Sequence, residues 1–116
     1  AGEMIIVAGR PSIGKTTFVL NVTEHMAIHV LAENQMDLCR AFSASAHAFD
    51  QVDWRESERG VPLLQGCLAR FECERYAEYD GGDHAILVGR VLKASVRQGL
   101  PLLFYGGRFG QFAVGA

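Results

Sequence analysis

One short segment combines two glycines, a lysine and a hydroxyl side chain at the spacing that proteins use to bind phosphate. Gly9 to Thr16 reads G-R-P-S-I-G-K-T and fits the P-loop pattern G-x-x-x-x-G-K-[ST]. In that pattern the glycines let backbone N–H groups approach a phosphate, the lysine contacts the β- and γ-phosphates, and the hydroxyl reaches Mg²⁺. We therefore predict a phosphate-binding loop made by Gly9, Arg10, Pro11, Ser12, Ile13, Gly14, Lys15, Thr16 and Thr17. Thr16 would be the Mg²⁺ ligand of bound ATP or ADP, and the alternative is a glycine turn with a solvated Lys15.

The segments on either side of this loop are those that a P-loop requires. Met4–Ala8 is a short apolar, β-branched run that predicts a buried strand. Thr16 to Met26 carries apolar residues at helical spacing, which predicts a helix whose N-terminus faces the phosphate. Ala27 to Leu31 then predicts a second strand, so the two strands would pair in parallel as a right-handed βαβ unit.

The first part of the chain resembles a helicase family. Residues 2–21, GEMIIVAGRPSIGKTTFVLN, are similar to the Walker A region of DnaB-type replicative helicases, and the likeness covers about residues 1–26. Such helicases place an acidic residue after the next strand, and Glu33 lies at that position. The resemblance therefore makes Glu33 a candidate for activating water, although the same residue could simply open a helix.

From about residue 27 the chain resembles a different family, the C-terminal half of the flavin reductases. Five segments carry this likeness in order and spacing: 28–35 (IHVLAENQ), 52–54 (VDW), 62–66 (PLLQG), 82–89 (GDHAILVG) and 102–110 (LLFYGGRFG). Members of that family are FMN-binding split barrels, usually homodimers, in which a reduced nicotinamide nucleotide passes hydride to flavin. The likeness covers about residues 27–113, and the N-terminal half of such a reductase is absent.

The reductase resemblance implies roles for three polar side chains. His84 resembles a family histidine near the flavin and nicotinamide, and the alternative is a polar residue at the end of a hairpin. Asp83 would either orient His84 or finish the turn. Arg108, which lies among glycines, could meet a phosphate or a partner subunit, or could be a solvated turn residue. The implied cofactor is FMN, besides the ATP or ADP with Mg²⁺ implied by the loop.

Later segments predict one helix and a series of antiparallel strands. Asn34 is predicted to cap a helix that ends near Ser45, and residues 46–62 look like a long surface loop anchored by Trp54. Alternation predicts a strand over 67–79 that turns at Asp80–Asp83 into a second strand. The further strands are therefore predicted at Ala85–Val96 and Pro101–Tyr105.

Composition limits the function classes. The chain has 116 residues, 49% of them hydrophobic, and a formal net charge of −2, which suits one domain and gives little support to nucleic-acid binding. Its apolar runs are too short to span a membrane, and no signal peptide is evident, so we expect a cytoplasmic protein. Three cysteines without a C-x-x-C pair argue against a zinc site.

Together these features predict an α+β fold in which an N-terminal β-P-loop-α-β unit joins an antiparallel partial split β-barrel. We expect a single domain over residues 1–116, with a helicase-like segment at 1–26 and a reductase-like segment at 27–113. A partial barrel leaves edges and apolar surface exposed, so we also expect a homodimer, either side by side or with exchanged strands.

Three functions are consistent with the sequence. The first is an engineered chimera whose P-loop binds ATP, ADP or the FMN phosphate, without a complete catalytic site and so without efficient turnover. The second is an FMN-dependent NAD(P)H oxidoreductase. The third is a folded chimera without activity.

Overall fold

The computed structural model describes residues 2–8, 17–22, 24–44 and 48–115. This part of the chain contains nine strands, one α-helix (α1) and a short 3-10 helix at Ala48–Asp50. In chain order the elements are β1 Met4–Ala8, β2 Thr17–Val22, β3 His25–Val30, α1 Met36–Ala44, β4 Trp54–Glu56, β5 Pro62–Leu64, β6 Ala69–Asp80, β7 Ala85–Val96, β8 Leu102–Tyr105 and β9 Arg108–Gln111. The described chain is therefore mostly antiparallel β.

Five strands form the main sheet in the order β1-β7-β6-β3-β2, and every neighbouring pair is antiparallel. Its centre is the long hairpin of β6 and β7, which are twelve residues each. The pairs β4–β5 and β8–β9 form two smaller sheets. An isolated bridge between Ala32 and Pro101 joins the end of β3 to the start of β8.

The main sheet curls around a single apolar core. Met26, Ile28, Cys73 and Val91 are buried at its centre. Side chains from both edge strands pack on the same cluster: Ile5 and Val7 from β1, and Val19 from β2. The cluster therefore extends across all five strands on one face of the sheet, which forms an incomplete barrel wall around it. Burial raises the pKa of the Cys73 thiol to about 11, so this thiol stays protonated inside the core.

The predicted α+β class, with its N-terminal β-P-loop-α-β unit, is wrong. Thr17–Val22 is a strand, not the start of a helix, and it pairs with β3 in antiparallel register. The apolar spacing predicted a helix wrongly because Val19 packs into the barrel core, whereas Phe18 packs on a different cluster around Leu31. A strand with apolar contacts on both faces has a nearly continuous apolar run, which also contains helical spacings.

The predicted parallel βαβ unit is wrong for the same reason. β1 pairs with β7, antiparallel, with Ile5 opposite Gly89, and it has no ladder with β3. Without a crossover helix between them, β1 and β3 cannot form that unit, and they are the first and fourth strands across the sheet.

The later elements agree better with the sequence. The strand predicted at 27–31 is present as β3, and the strand predicted at Ala85–Val96 is β7 with those bounds. The helix after Asn34 is confirmed, but it begins at Met36, so the residue preceding it is Gln35 rather than Asn34. The long loop predicted at 46–62 was wrong in part, because it contains the 3-10 helix and β4. Strand β9 was not predicted.

Two smaller clusters attach the remaining elements to the barrel. The β4–β5 hairpin packs through Val61 and Leu63 on Ala27 of β3. α1 and β8 close a third cluster, in which Cys39 and Leu102 pack on Leu31. Within the described residues, no helix has the length and apolar character needed to cross a membrane.

Candidate functional site

His84 lies at the end of the β6–β7 hairpin, and a tight turn fixes its position. The turn is closed by a hydrogen bond from the Gly81 N–H to the His84 carbonyl at 2.9 Å, and Asp80 Oδ1 accepts from the Gly82 N–H at 2.9 Å. Gly82 has φ +84°, which favours glycine. The imidazole edge lies over Gly81, where a Cβ would be 2.9 Å from the His84 carbonyl oxygen and 3.0 Å from His84 Nε2. A side chain at position 81 would therefore disturb the backbone of the turn and displace the ring.

Asp83 orients this imidazole. Its Oδ1 lies 2.8 Å from His84 Nδ1, so Nδ1–H donates to the carboxylate and Nε2 takes no part in this hydrogen bond. The His84 side chain is 29% exposed and that of Asp83 is 59% exposed. The sequence left open whether Asp83 orients His84 or only finishes the turn, and the short contact supports orientation.

An apolar surface adjoins His84 on the outer face of the barrel. Residues directly opposite each other in a sheet share a face, and the register places Ile6 opposite Val88 and Tyr79 opposite Ile86. Met4 lies on the same face because it is two residues from Ile6. We call these five side chains, Met4, Ile6, Tyr79, Ile86 and Val88, the outer platform. Ile6 is 69% exposed and Tyr79 57%, so nothing in the described chain covers them.

Arg108 lies on a different hairpin. It begins β9, opposite Tyr105, and the turn between them contains Gly106 and Gly107 with φ of +60° and +82°. The Arg108 side chain is exposed, and it forms no ion pair with any described residue. The neighbouring Phe109 packs inward against the third cluster. Arg108 therefore presents an uncompensated positive charge to solvent.

The structure does not bring His84 and Arg108 together within one chain. The β8–β9 hairpin is joined to the end of β3 by a bond from Leu102 N–H to Leu31 O at 3.0 Å. That end of β3 pairs with Ala69, whereas His84 follows the opposite end of β6. At about 3.3 Å per residue, β6 spans roughly 36 Å. A site that uses both side chains must take them from two copies.

Glu33 lies in the turn before α1 and is exposed. Its backbone N–H donates to Leu100 O at 2.9 Å, which ties the turn to the start of β8. The position fits the alternative in which the residue opens a helix. Nothing in its described surroundings favours water activation.

The predicted phosphate-binding loop falls mostly outside the described residues. Gly9, Arg10, Pro11, Ser12, Ile13, Gly14, Lys15 and Thr16 all lie there, and the structure gives no account of them. Thr17 is described, as the first residue of β2, where it pairs with Val30. The predicted helix N-terminus behind the loop is therefore absent, because β2 stands in its place.

Two buried polar side chains have structural roles that the sequence did not reveal. His29 is fully buried, and its Nε2 accepts from the Leu64 N–H at 3.1 Å, which leaves the proton on Nδ1 at 3.4 Å from Phe18 O. Gln35 accepts from the Ala32 N–H and donates to Gln65 O, both at 2.9 Å. Both residues join the barrel to the segment around β5. The sequence indicated only that His29 lies in an apolar strand, where burying an imidazole without hydrogen-bond partners would cost free energy.

The sequence of the chain matches one family along nearly its whole length. The model of the family described as flavin reductase like domain matches residues 6–113. The NADH-dependent FMN reductase SmoA of Agrobacterium fabrum is 52% identical over 89 residues, which are 77% of this chain and 51% of that protein. HsaB, a reductase subunit of a flavin-dependent monooxygenase from Rhodococcus jostii, is 43% identical over 84 residues, or 71% of this chain and 43% of that protein. The chain therefore spans about half the length of these relatives.

A solved structure gives the same result for the fold. The NADH:FAD oxidoreductase SgcE6 of Streptomyces globisporus superposes with a TM-score of 0.75 at 32% identity, covering 99% of this chain and 67% of that chain. The likeness extends across the segment that was expected to come from a helicase.

These matches correct the predicted origin of the chain. The family match begins at residue 6 and so includes the P-loop-like segment, which leaves the predicted helicase unit and engineered chimera without support. Binding of ATP with Mg²⁺ is likewise unsupported, since the relatives are named for flavins and NADH. The antiparallel curled barrel, the polar pair at the hairpin end and the match over residues 6–113 lead to one assignment. This chain belongs to the flavin reductase-like domain family.

Proposed function

We propose that the chain is part of a flavin reductase that uses NADH to reduce FMN or FAD. The names of its relatives support this reaction: one is an NADH-dependent FMN reductase and another an NADH-dependent FAD reductase. The observation on this chain that carries the proposal is the His84–Asp83 pair beside the outer platform.

The residues present fit a flavin. Its ring system is flat and aromatic with a polar edge, so it needs apolar surface for its faces and hydrogen-bonding groups at its rim. The outer platform offers exposed Ile6 and Tyr79, and His84 lies at its border. When bound, the flavin supplies the hydride-accepting chemistry.

The residues of the chain would hold and orient the reactants. Asp83 keeps the proton of His84 on Nδ1, so Nε2 can accept a hydrogen bond from an amide or imide N–H of a bound ring. Gly81 gives the imidazole room to remain in that position. In the sequence between β1 and β2, Arg10 and Lys15 are the cations that we propose to contact the flavin phosphate.

Replacing His84 should impair the reaction without unfolding the protein. We expect His84→Ala to lower kcat/KM for NADH by about ten- to a hundredfold, the range for losing one well-placed hydrogen bond. Gly81→Ala, which keeps the imidazole but displaces it, should give a smaller loss of the same kind. The measurement is the initial rate of NADH oxidation with excess FMN, with Glu78→Gln on the same hairpin as a control. A wild-type rate of NADH oxidation in His84→Ala would show that His84 does not take part in the reaction.

The proposal includes a homodimer in which a second copy covers the part of the outer platform that the flavin leaves exposed. The platform has large apolar side chains in water, and a second copy related by a two-fold axis would bury those that do not contact the flavin. His84 and Arg108 lie near opposite ends of β6 within one chain. An Arg108 that approaches His84 would therefore come from the second copy.

A charge on the platform should separate the two copies. We expect Ile6→Glu to shift the mass measured by light scattering from twice 12.7 kDa to 12.7 kDa, because a buried unpaired carboxylate is costly. The matched control is Val96→Glu, which alters an equally exposed residue at the other end of β7. A wild-type protein of 12.7 kDa at micromolar concentration would contradict the dimer.

A further inference from the structure

A cleft separates the β4–β5 hairpin from the outer face of the main sheet. Its volume is about 220 Å³, and its apolar lining includes Met26, Val61, Leu63 and Leu92. Five charged residues also line it: Arg55, Glu58, Arg59, Glu72 and Lys93. Lys93 lies nine residues along β7 from His84, roughly 30 Å of strand at about 3.3 Å per residue. The cleft is therefore remote from the His84 end of the proposed flavin surface.

A rigid turn holds one of these cations in place. Ser57 Oγ accepts from the N–H groups of Arg59 and Val61 at 3.2 and 3.0 Å, and the Ser57 N–H donates to Val61 O at 2.9 Å. Gly60 completes the turn with φ +79°. The guanidinium of Arg59 then donates from Nη1 to His25 Nε2 at 3.0 Å. An imidazole thus holds the arginine, and no carboxylate takes part in this contact.

The three cations of the cleft are not neutralised within the described chain. Arg75 and Arg90 form ion pairs with Glu78 and Glu74, but Arg55, Arg59 and Lys93 form none with any described carboxylate. Glu72 lies opposite Lys93 in the register, yet their charged groups make no ion pair. Three cations face two carboxylates, so the cleft keeps an excess of positive charge.

We propose that this cleft binds the diphosphate group of a small anion. Arginine forks match phosphate oxygens, and a guanidinium already held in position loses little side-chain entropy on binding. A volume of about 220 Å³ is below the usual range for whole cofactors, so the cleft suits the diphosphate group rather than a complete dinucleotide. Glu58 and Glu72 repel phosphate and so lower its affinity for the cleft. Binding therefore depends on the three cations of the cleft.

Calorimetric titration of the full chain with inorganic pyrophosphate and with ADP tests the proposal. We expect Arg59→Gln and Lys93→Gln each to weaken binding of pyrophosphate at least tenfold, and Glu58→Gln to strengthen it. Arg59→Gln keeps an amide donor for His25, and Lys93 is exposed, so both variants should fold. Arg75→Gln, which removes an ion-paired cation elsewhere on β6, is the matched control and should bind as the wild type does.

The two ligands distinguish the source of the diphosphate. Equal affinity for pyrophosphate and ADP would support a site for the diphosphate alone, and tighter binding of ADP would support a nucleotide. No heat of binding with either ligand at millimolar concentration would overturn the proposal, as would equal affinities in the wild type and both variants. FMN binding should be unchanged in Arg59→Gln, so failure of this site is separable from failure of the flavin site.

Discussion

Replacing Gly89 with valine should lower the free energy of unfolding by about 3 kcal/mol or more. Gly89 is buried in β7, and a Cβ at this position would overlap Met26 Cε and lie 3.0 Å from Cys73 Cβ. Met26 and Cys73 belong to the core of the barrel and are each 1% exposed. The added carbons therefore have no space unless the core side chains or the strands move apart.

Urea denaturation measures this loss. Gly89→Ala should cost about 1–3 kcal/mol, and adding Met26→Ala should give a double variant less destabilised than the two single changes would sum to. Gly110→Ala in β9 is the control, because a Cβ there meets no atom within 4 Å. Equal stability of Gly89→Val and wild type would contradict the observed packing of β7 on β3.

Stability should fall as the pH is lowered below neutrality, and His29 should cause much of this fall. Burial lowers the pKa of His29 from 6.5 to about 4, with a smaller contribution from the nearby charge of Arg70. The unfolded chain therefore binds a proton between these values and the folded chain does not. The stabilisation is complete above pH 6.5 and is lost progressively as the pH falls toward 4, by on the order of 3 kcal/mol in total.

Denaturation at several pH values isolates this effect. Between about pH 7 and pH 5, the free energy of unfolding of the wild type should fall by roughly 2 kcal/mol more than that of His29→Gln. The amide oxygen of glutamine can still accept from the Leu64 N–H, so the variant should fold with a lower but flatter stability. Parallel pH profiles for wild type and His29→Gln would show that His29 is not the buried neutral group described above.

The long hairpin could be predicted from the sequence because one residue pattern dominates it. Cys73 alternates with charged neighbours along β6, and the glycines after Asp80 fix the turn into β7. That alternation matches a strand with one face in the core and the other in water. His84 was identified instead from the resemblance of its Gly-Asp-His segment to the flavin reductases.

β2 could not be predicted from the same reasoning. Its apolar residues lie in two clusters on opposite faces, so neither a period of two nor a period of 3.6 stands out. The glycines and Lys15 before it completed a motif that fits phosphate binding in many folds. Thr17–Val22 forms a strand because it pairs with β3. This pairing is a tertiary contact that the local residue pattern does not predict.

The buried polar residues and the cleft depend on contacts distant in sequence. His29 is satisfied by Leu64 and Gln35 by Gln65, some thirty residues away. The cleft combines the tip of the β4–β5 hairpin with β6 and β7. Strands of three residues such as Trp54–Glu56 carry too few side chains for a periodic signal, so the hairpin that builds the cleft was read as a loop.

Titration of the purified chain with FMN, FAD and ATP–Mg²⁺ most directly tests the assignment of this chain as a flavin-binding part of an NADH-dependent reductase. We expect quenching of flavin fluorescence with saturable binding of FMN or FAD, reduction of the bound flavin on addition of NADH without oxygen, and no competition by ATP–Mg²⁺. Absence of flavin binding, or displacement of the flavin by ATP–Mg²⁺ at comparable concentration, would contradict the account.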